Sequence, residues 1–66
     1  MLKMGMFSTR HYEFIAKTLG EAGAEFKAIW AIADAFEQDN DRFKMNLFLK
    51  RTAFHGGNVP SRYLED

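Results

Sequence analysis

The segment AIWAIADAF, residues 28–36, most constrains the fold, because a helix built through it is apolar on nearly every side. Over residues 23–38, at about 100° per residue, the apolar side chains form a bulky face and a separate alanine stripe. The bulky face, which predicts a core, consists of Phe26, Ile29, Trp30, Ile32, Ala33 and Phe36. The alanine stripe consists of Ala24, Ala28, Ala31 and Ala35. Its 4-3-4 spacing predicts a seam for another helix, since small residues let helix backbones approach closely.

A second helix is predicted near the N-terminus, over about residues 8–20. Ser8 or Thr9 is a suitable N-cap ahead of an apolar-periodic run. Gly20 is placed to end this helix as a glycine in the left-handed conformation. Phe14 points away from the apolar face, toward the N-terminal residues or toward a partner. The apolar face itself comprises Tyr12, Ile15, Ala16 and Leu19.

A further helix is predicted over about residues 41–54, capped by an acidic or amide side chain of residues 39–41. One apolar face of this helix comprises Phe43, Leu47 and Phe54. The opposite face comprises Met45, Phe48 and Leu49. Residues 55–66 contain two consecutive glycines and a proline and are expected to form a mobile or docking tail. The sequence thus predicts an all-α fold, with a three-helix domain in residues 1–54 followed by this tail.

A chain of 66 residues with two-sided helices is expected to form a homodimer. Domains of this size are marginally stable alone, and the chain has no cysteine with which to form a disulfide. Two of the three short helices have two apolar faces each, and three helices are too few to bury all of these faces. The remaining apolar surface therefore needs a partner. The alternative for the alanine stripe is exposure to solvent, since alanine is the strongest helix former. The predicted partner interface comprises Ala24, Ala28, Ala31, Ala35, Met45, Phe48 and Leu49.

The charges of the chain are segregated, although its formal net charge is zero. Residues 21–41 contain six acidic residues and one lysine, a net charge of −5, whereas residues 42–62 contain five basic residues and no acidic one, a net charge of +5. The two segments are expected to complement each other within the fold or across a dimer. The alternative is a helix-turn-helix protein whose candidate nucleic-acid contacts are Arg42, Lys44, Lys50 and Arg51. The apolar faces of the third helix and the lack of a net positive charge weaken that alternative.

The sequence contains no evident constellation of reactive side chains. Ser8 and His11 are close together, but a helix cap explains Ser8 better than a catalytic site does. Residues 39–41, Asp-Asn-Asp, lack the glycine and the distal glutamate of a calcium loop. We therefore predict no enzymatic activity, no cofactor and no metal site. No export signal and no apolar run of about 20 residues is evident, so we expect a cytoplasmic location in a host cell and no membrane partner.

Two stretches, FSTRHYEFIAKTL and ADAFEQDNDRFKMNLFLK, resemble a group of short proteins encoded by bacteriophages and prophages. The pattern of that group is HY..IA followed by F..DNPRF....FL, and the resemblance covers about residues 7–50. Asp41 stands where the pattern has proline, and KRTAF replaces small residues after the Phe-Leu pair. The group supplies no site residues, but the resemblance implies a phage origin, and small phage proteins often bind a host or phage macromolecule.

The expected function is that of a non-enzymatic phage accessory protein that self-associates and contacts a host or phage protein. The alternative is a small helical DNA-binding regulator that uses the basic third helix. Binding to nucleic acid would weaken steeply as the salt concentration rises, whereas an apolar protein contact would not.

Overall fold

In the computed structural model, which describes residues 5–65, the chain forms three α-helices and one short 3-10 turn. The helices are α1, Thr9–Glu21, α2, Phe26–Asp39, and α3, Met45–Phe54, and the turn is Ser61–Tyr63. No strand occurs in this part of the chain. The predicted all-α class with three helices is therefore confirmed.

The third helix lies between the other two and packs against both. At one end of α1 the ring of Tyr12 contacts Phe43, just before α3, with 4.8 Å between centroids. At the other end Gly20 faces Thr52 and His55, at the end of α3. Helices α1 and α3 therefore run in the same direction, and α2 returns antiparallel to them.

The core is an aromatic cluster at one end of the bundle, continued by aliphatic side chains. The ring of Phe36 lies between 4.9 and 5.6 Å from the rings of Phe7, Tyr12, Phe43 and Phe48. Rings at these separations attract one another beyond the area that they bury. The buried apolar residues are Ala16, Ile29, Ala33, Phe36, Phe43, Phe48 and Leu49.

The predicted core faces of α1 and α2 agree with this packing. On α1, Ala16 is buried, and Tyr12, Ile15 and Leu19 pack partly buried against the core. On α2, the centre of the bulky face is buried, whereas Trp30 at its edge is 39% exposed. The 3.6-residue period of these two helices therefore identified the inward faces correctly.

The start of α1 is built as the sequence predicted, with Ser8 as the N-cap. The backbone N–H of Ser8 donates to Nδ1 of His11 at 3.0 Å, and Ser8 Oγ lies 3.1 Å from the same nitrogen. His11 thus fills the place that a glutamate or glutamine takes in a capping box.

The end of α1 differs from the prediction at Gly20, which is helical and buried rather than left-handed. Gly23 has the positive φ, 66°, and terminates the helix. The N–H of Ala24 donates to the carbonyl of Leu19, and the N–H of Gly23 donates to that of Gly20, both at 3.0 Å. These two bonds form a Schellman motif, which satisfies carbonyls left free at the helix end.

The predicted start of α3 at about residue 41 is also wrong, because α2 continues to Asp39 and a turn separates the helices. In this turn Asn40 Oδ1 accepts the N–H of Arg42 at 2.9 Å, and the carbonyl of Asn40 accepts the N–H of Phe43 at 3.0 Å. Asn40 Nδ2 donates to the hydroxyl of Tyr12 at 3.1 Å. An asparagine side chain that accepts a hydrogen bond from the backbone N–H two residues later favours a turn over a helix. Helix α3 accordingly begins only at Met45.

The tail, in its described part 55–65, docks on the helices. The Asn58 amide Nδ2 donates to the carbonyls of Gly23 and Ala24, at 3.0 and 3.1 Å. The ring of Tyr63 lies 4.9 Å from that of Phe26 and 5.5 Å from that of Trp30. Of the two predicted alternatives, a mobile tail and a docked tail, the structure shows the docked one.

Replacing Asn58 with alanine should loosen this docking. We expect the free energy of unfolding to fall by about 1 kcal/mol, because two carbonyls between α1 and α2 lose their side-chain donor. Urea denaturation followed by circular dichroism measures the change. Ser61→Ala, which removes an exposed hydroxyl from the same tail, is the control and should change stability by less than about 0.5 kcal/mol. Equal effects of the two substitutions would contradict the anchoring role of Asn58.

Candidate partner-binding site

The alanine stripe of α2 remains largely uncovered within one chain. Ala28, Ala31 and Ala35 are exposed, whereas Ala24 packs partly buried against the core. The backbone carbonyl of Ala24 accepts the N–H of Asn58 at 3.1 Å, so the tail covers this end of the stripe. The three exposed alanines leave a flat, uncharged strip on the outside of α2.

The partner interface predicted on α3 is placed largely in the core instead. Phe48 and Leu49 are 3% and 0% exposed, and Met45 packs partly buried against the core. Phe48 and Leu49 therefore do not reach a partner while this fold is kept, whereas Met45 remains partly exposed. The outward face of α3 carries Leu47, 43% exposed, and Phe54, 84% exposed. The sequence assigned the partner interface to the face of Phe48 and Leu49 and placed Leu47 and Phe54 on the opposite face of α3. In the structure the face of Phe48 and Leu49 is turned inward, and Leu47 and Phe54 are turned outward.

Two phenylalanines project into solvent although the domain has few apolar side chains to spare. Phe54, at the end of α3, contacts only the ring of His55 among the described aromatic groups, at 5.1 Å between centroids. Phe14, on the outside of α1, is 69% exposed. Met6, near the start of the described chain, is exposed as well. The sequence signal for Phe14 was its position away from the apolar face of α1.

A groove of about 420 Å³ lies between the start of α1, the 40–44 turn and α3. We call it the α1–α3 groove. Its apolar lining is supplied by Phe7, Tyr12, Phe43, Leu47 and Phe48. Its charged rim is supplied by Glu13, Arg42, Lys44 and Arg51. The sequence identified these three cations, but not the groove, because the elements that form it are distant in sequence.

The rim of the α1–α3 groove is only partly neutralised. Arg51 Nη2 lies 3.6 Å from Glu13 Oε1, and both side chains are about half exposed (49%). Such a pair contributes about 0–1 kcal/mol to stability. Arg42 and Lys44 form no ion pair with a carboxylate of residues 5–65. The two rim cations without an ion pair therefore both lie at the turn end of the groove, in the turn that also contains Asp41.

Lys50, the remaining predicted nucleic-acid contact, does not line the groove. It borders a neighbouring shallow depression, together with Lys44, Leu47 and the acidic Glu37. Lys44 lines both concave surfaces, whereas Arg42 and Arg51 line only the groove and Lys50 only the depression. Each surface also carries a carboxylate, so acidic side chains are mixed with the four predicted cations.

Features of several familiar functional classes do not occur in the described part of the chain. Within residues 5–65, no three or more histidine and acidic side chains are grouped closely enough to hold a metal ion. In the same residues, every helix is too short or too polar to cross a membrane. Nδ1 of His11 accepts the N–H of Ser8, which fits the helix cap. Compared with protein-family models, with curated proteins and with solved structures, the chain matches none.

Proposed function

We propose that this chain is a non-enzymatic phage accessory protein that acts through protein–protein contacts, both with a second copy of itself and with a host or phage protein. The observation that carries the proposal is the exposure of Phe54, 84%, at the end of the central helix. Full burial of a phenylalanine side chain stabilises by about 1.5–3 kcal/mol. A partner that covers this ring therefore gains affinity that the single chain leaves unused.

The surroundings of Phe54 support the proposal. Leu47 lies seven residues earlier, on the same side of α3, and Arg51 lies between them. This outer strip of α3 is therefore apolar at both ends and polar at its centre. Aromatic residues and arginine are enriched at protein interfaces, where they supply much of the binding energy. The exposed alanines of α2 and Phe14 on α1 add further uncovered apolar area.

The phage origin in this proposal is supported by the resemblance of two stretches, FSTRHYEFIAKTL and ADAFEQDNDRFKMNLFLK, to short phage proteins. In the structure these stretches contain most of α1, the second half of α2 and the first part of α3, and they contain every buried apolar residue except Ile29. A bacterial host cell is accordingly where a partner is to be sought.

Capture from a bacterial lysate tests the contact with other proteins. Immobilised wild-type protein should retain one or a few specific proteins that Phe14→Ser/Phe54→Ser does not retain, because the exposed rings are lost. Quantitative mass spectrometry measures the difference. Lys17→Ser/Lys27→Ser, which alters two exposed charged positions on α1 and α2, is the control and should retain the same proteins as the wild type. Equal retention by the phenylalanine variant would contradict the proposal.

DNA binding is the second candidate, because Arg42, Lys44 and Arg51 surround one groove. Against it, Glu13 lines the same groove, Lys50 lies outside it and the chain has no net positive charge. The peptide-binding experiment described below includes an oligonucleotide, so that peptide and nucleic acid are compared as ligands of the same variants.

A further inference from the structure

We propose that the α1–α3 groove binds an acidic amphipathic segment of a partner protein. Its carboxylates would pair with Arg42 and Lys44, and an apolar side chain of the segment would cover Leu47 and Tyr12. This inference rests on the proposed function, since it assigns a partner chemistry to one surface of a protein that acts by contact. It goes beyond that function by naming the site and the class of segment.

The shape of the groove fits an inserted apolar side chain. Its volume, about 420 Å³, lies within the range of pockets that enclose ligands, about 300–1,000 Å³. Phe43 and Phe48 are buried and form a fixed base, and Leu47, 43% exposed, forms an open wall. Tyr12 is held in place by the hydrogen bond that its hydroxyl accepts from Asn40. The apolar part of the groove is therefore preformed.

The charges of the rim favour a negatively charged partner segment. Glu13 lies beside Arg51, so this end of the groove is nearly neutral. Arg42 and Lys44 have no acidic partner among residues 5–65, and both stand at the exposed 40–44 turn. A segment with carboxylates at this end complements the two cations without having to displace an existing ion pair.

The same features disfavour nucleic acid as the occupant. Single-stranded nucleic acid binds by stacking bases on exposed aromatic faces along a positively charged groove. Here Phe43 and Phe48 are 9% and 3% exposed, so their faces are already covered by the core. The carboxylate of Glu13 in the groove also repels phosphates. An acidic peptide needs no stacking face, only one apolar anchor and few charges, and its carboxylates can lie at Arg42 and Lys44 rather than beside Glu13.

Selection from a library of short random peptides displayed on phage tests the proposal without assuming a partner. Peptides selected on the wild-type protein should be enriched in aspartate and glutamate together with leucine or phenylalanine. Synthetic peptides of the enriched sequence should bind Arg42→Glu/Lys44→Glu about tenfold more weakly than wild type, as measured by fluorescence anisotropy. Lys17→Glu/Lys27→Glu, with the same change in net charge outside the groove, should bind as the wild type does.

A second variant separates the apolar contribution from the charge. Leu47→Ser leaves the net charge unchanged and should also weaken binding, because it removes the open wall of the groove. Circular dichroism confirms that each variant is folded; the replaced side chains are exposed, so folding should be retained. Binding that depends on Arg42 and Lys44 but not on Leu47 would reduce the site to nonspecific charge attraction and overturn the proposal.

Three further results would overturn it. In the first, the selected peptides lack acidic residues. In the second, Arg42→Glu/Lys44→Glu binds the peptides as tightly as the wild type does. In the third, a labelled oligothymidylate binds the wild type but not Arg42→Glu/Lys44→Glu, and no acidic peptide shows that difference. This result would assign the groove to nucleic acid. The Phe14/Phe54 capture experiment does not depend on these cations. If it succeeds while the peptides fail, the groove assignment is lost and the proposed function stands.

Discussion

Replacing Phe36 with alanine should lower the free energy of unfolding by about 3–5 kcal/mol, which approaches the whole stability expected of so small a domain. The reason is that Phe36 is buried and its ring meets four other rings, from α1, the segment before it, α3 and the 40–44 turn. The deletion leaves a cavity where all parts of the bundle meet. We therefore expect the variant to be largely unfolded in the absence of denaturant.

Circular dichroism in urea, compared with the wild type, measures this effect. Phe54→Ala is the matched control, since it removes the same atoms from a side chain that is 84% exposed. At low protein concentration, where self-association contributes little, it should change stability by less than about 0.5 kcal/mol. A folded Phe36→Ala with stability close to that of Phe54→Ala would contradict the aromatic core described above.

Replacing Gly20 with alanine should destabilise the protein by about 1–3 kcal/mol, as overpacked sites do. In an exposed helix the same change would stabilise by about 1 kcal/mol, because alanine is the better helix former. The structure reverses the sign, since a Cβ at Gly20 would lie 2.5 Å from His55 Cβ and 2.6 Å from the Thr52 carbonyl oxygen. Helices α1 and α3 would have to separate at this end.

A second substitution isolates the cause. His55→Gly removes the shortest of the three close contacts, so in the Gly20→Ala background it should restore part of the lost stability relative to His55→Gly alone. The recovery should be incomplete, because the carbonyl oxygen of Thr52 and the backbone carbonyl carbon of residue 55 remain, at 2.6 and 2.9 Å. Thermal and urea denaturation of the four proteins give the coupling. Gly20→Ala that is as stable as the wild type, or more stable, would show that α1 and α3 do not approach as described.

The inward faces of α1 and α2 could be predicted because they depend on local periodicity. On α2 the residues Ile29, Ala33 and Phe36 recur at helical spacing, and no other face of that helix carries equally bulky side chains. Burial of the larger side chains then decides the orientation. The structure confirms all three as buried.

The orientation of α3 could not be predicted in this way, since its two faces are about equally apolar. The predicted helix began at residue 41 and therefore placed Phe43 in register with Leu47. In the structure the Asn40 turn takes Phe43 out of the helix, so its ring reaches the same core as Phe48. Which face of α3 turned inward was decided by contacts with α1 and α2 that lie far away in sequence.

The two glycines after α1 illustrate the same limit. Gly20 and Gly23 are both placed to end a helix, and local preference does not choose between them. In the structure Gly23 ends the helix, and Gly20 stays helical where His55, from the end of α3, leaves no space for a side chain. Likewise, the groove could not be predicted, because it forms only when α1, the 40–44 turn and α3 meet.

Sedimentation equilibrium across a range of protein concentrations tests most directly whether the exposed apolar surface serves contact between proteins. The wild type should show an average mass that rises above the monomer mass of 7.6 kDa with concentration. Phe14→Ser/Phe54→Ser should remain at the monomer mass over the same range, because its exposed rings are gone. A wild type that stays at 7.6 kDa at every concentration would contradict the account.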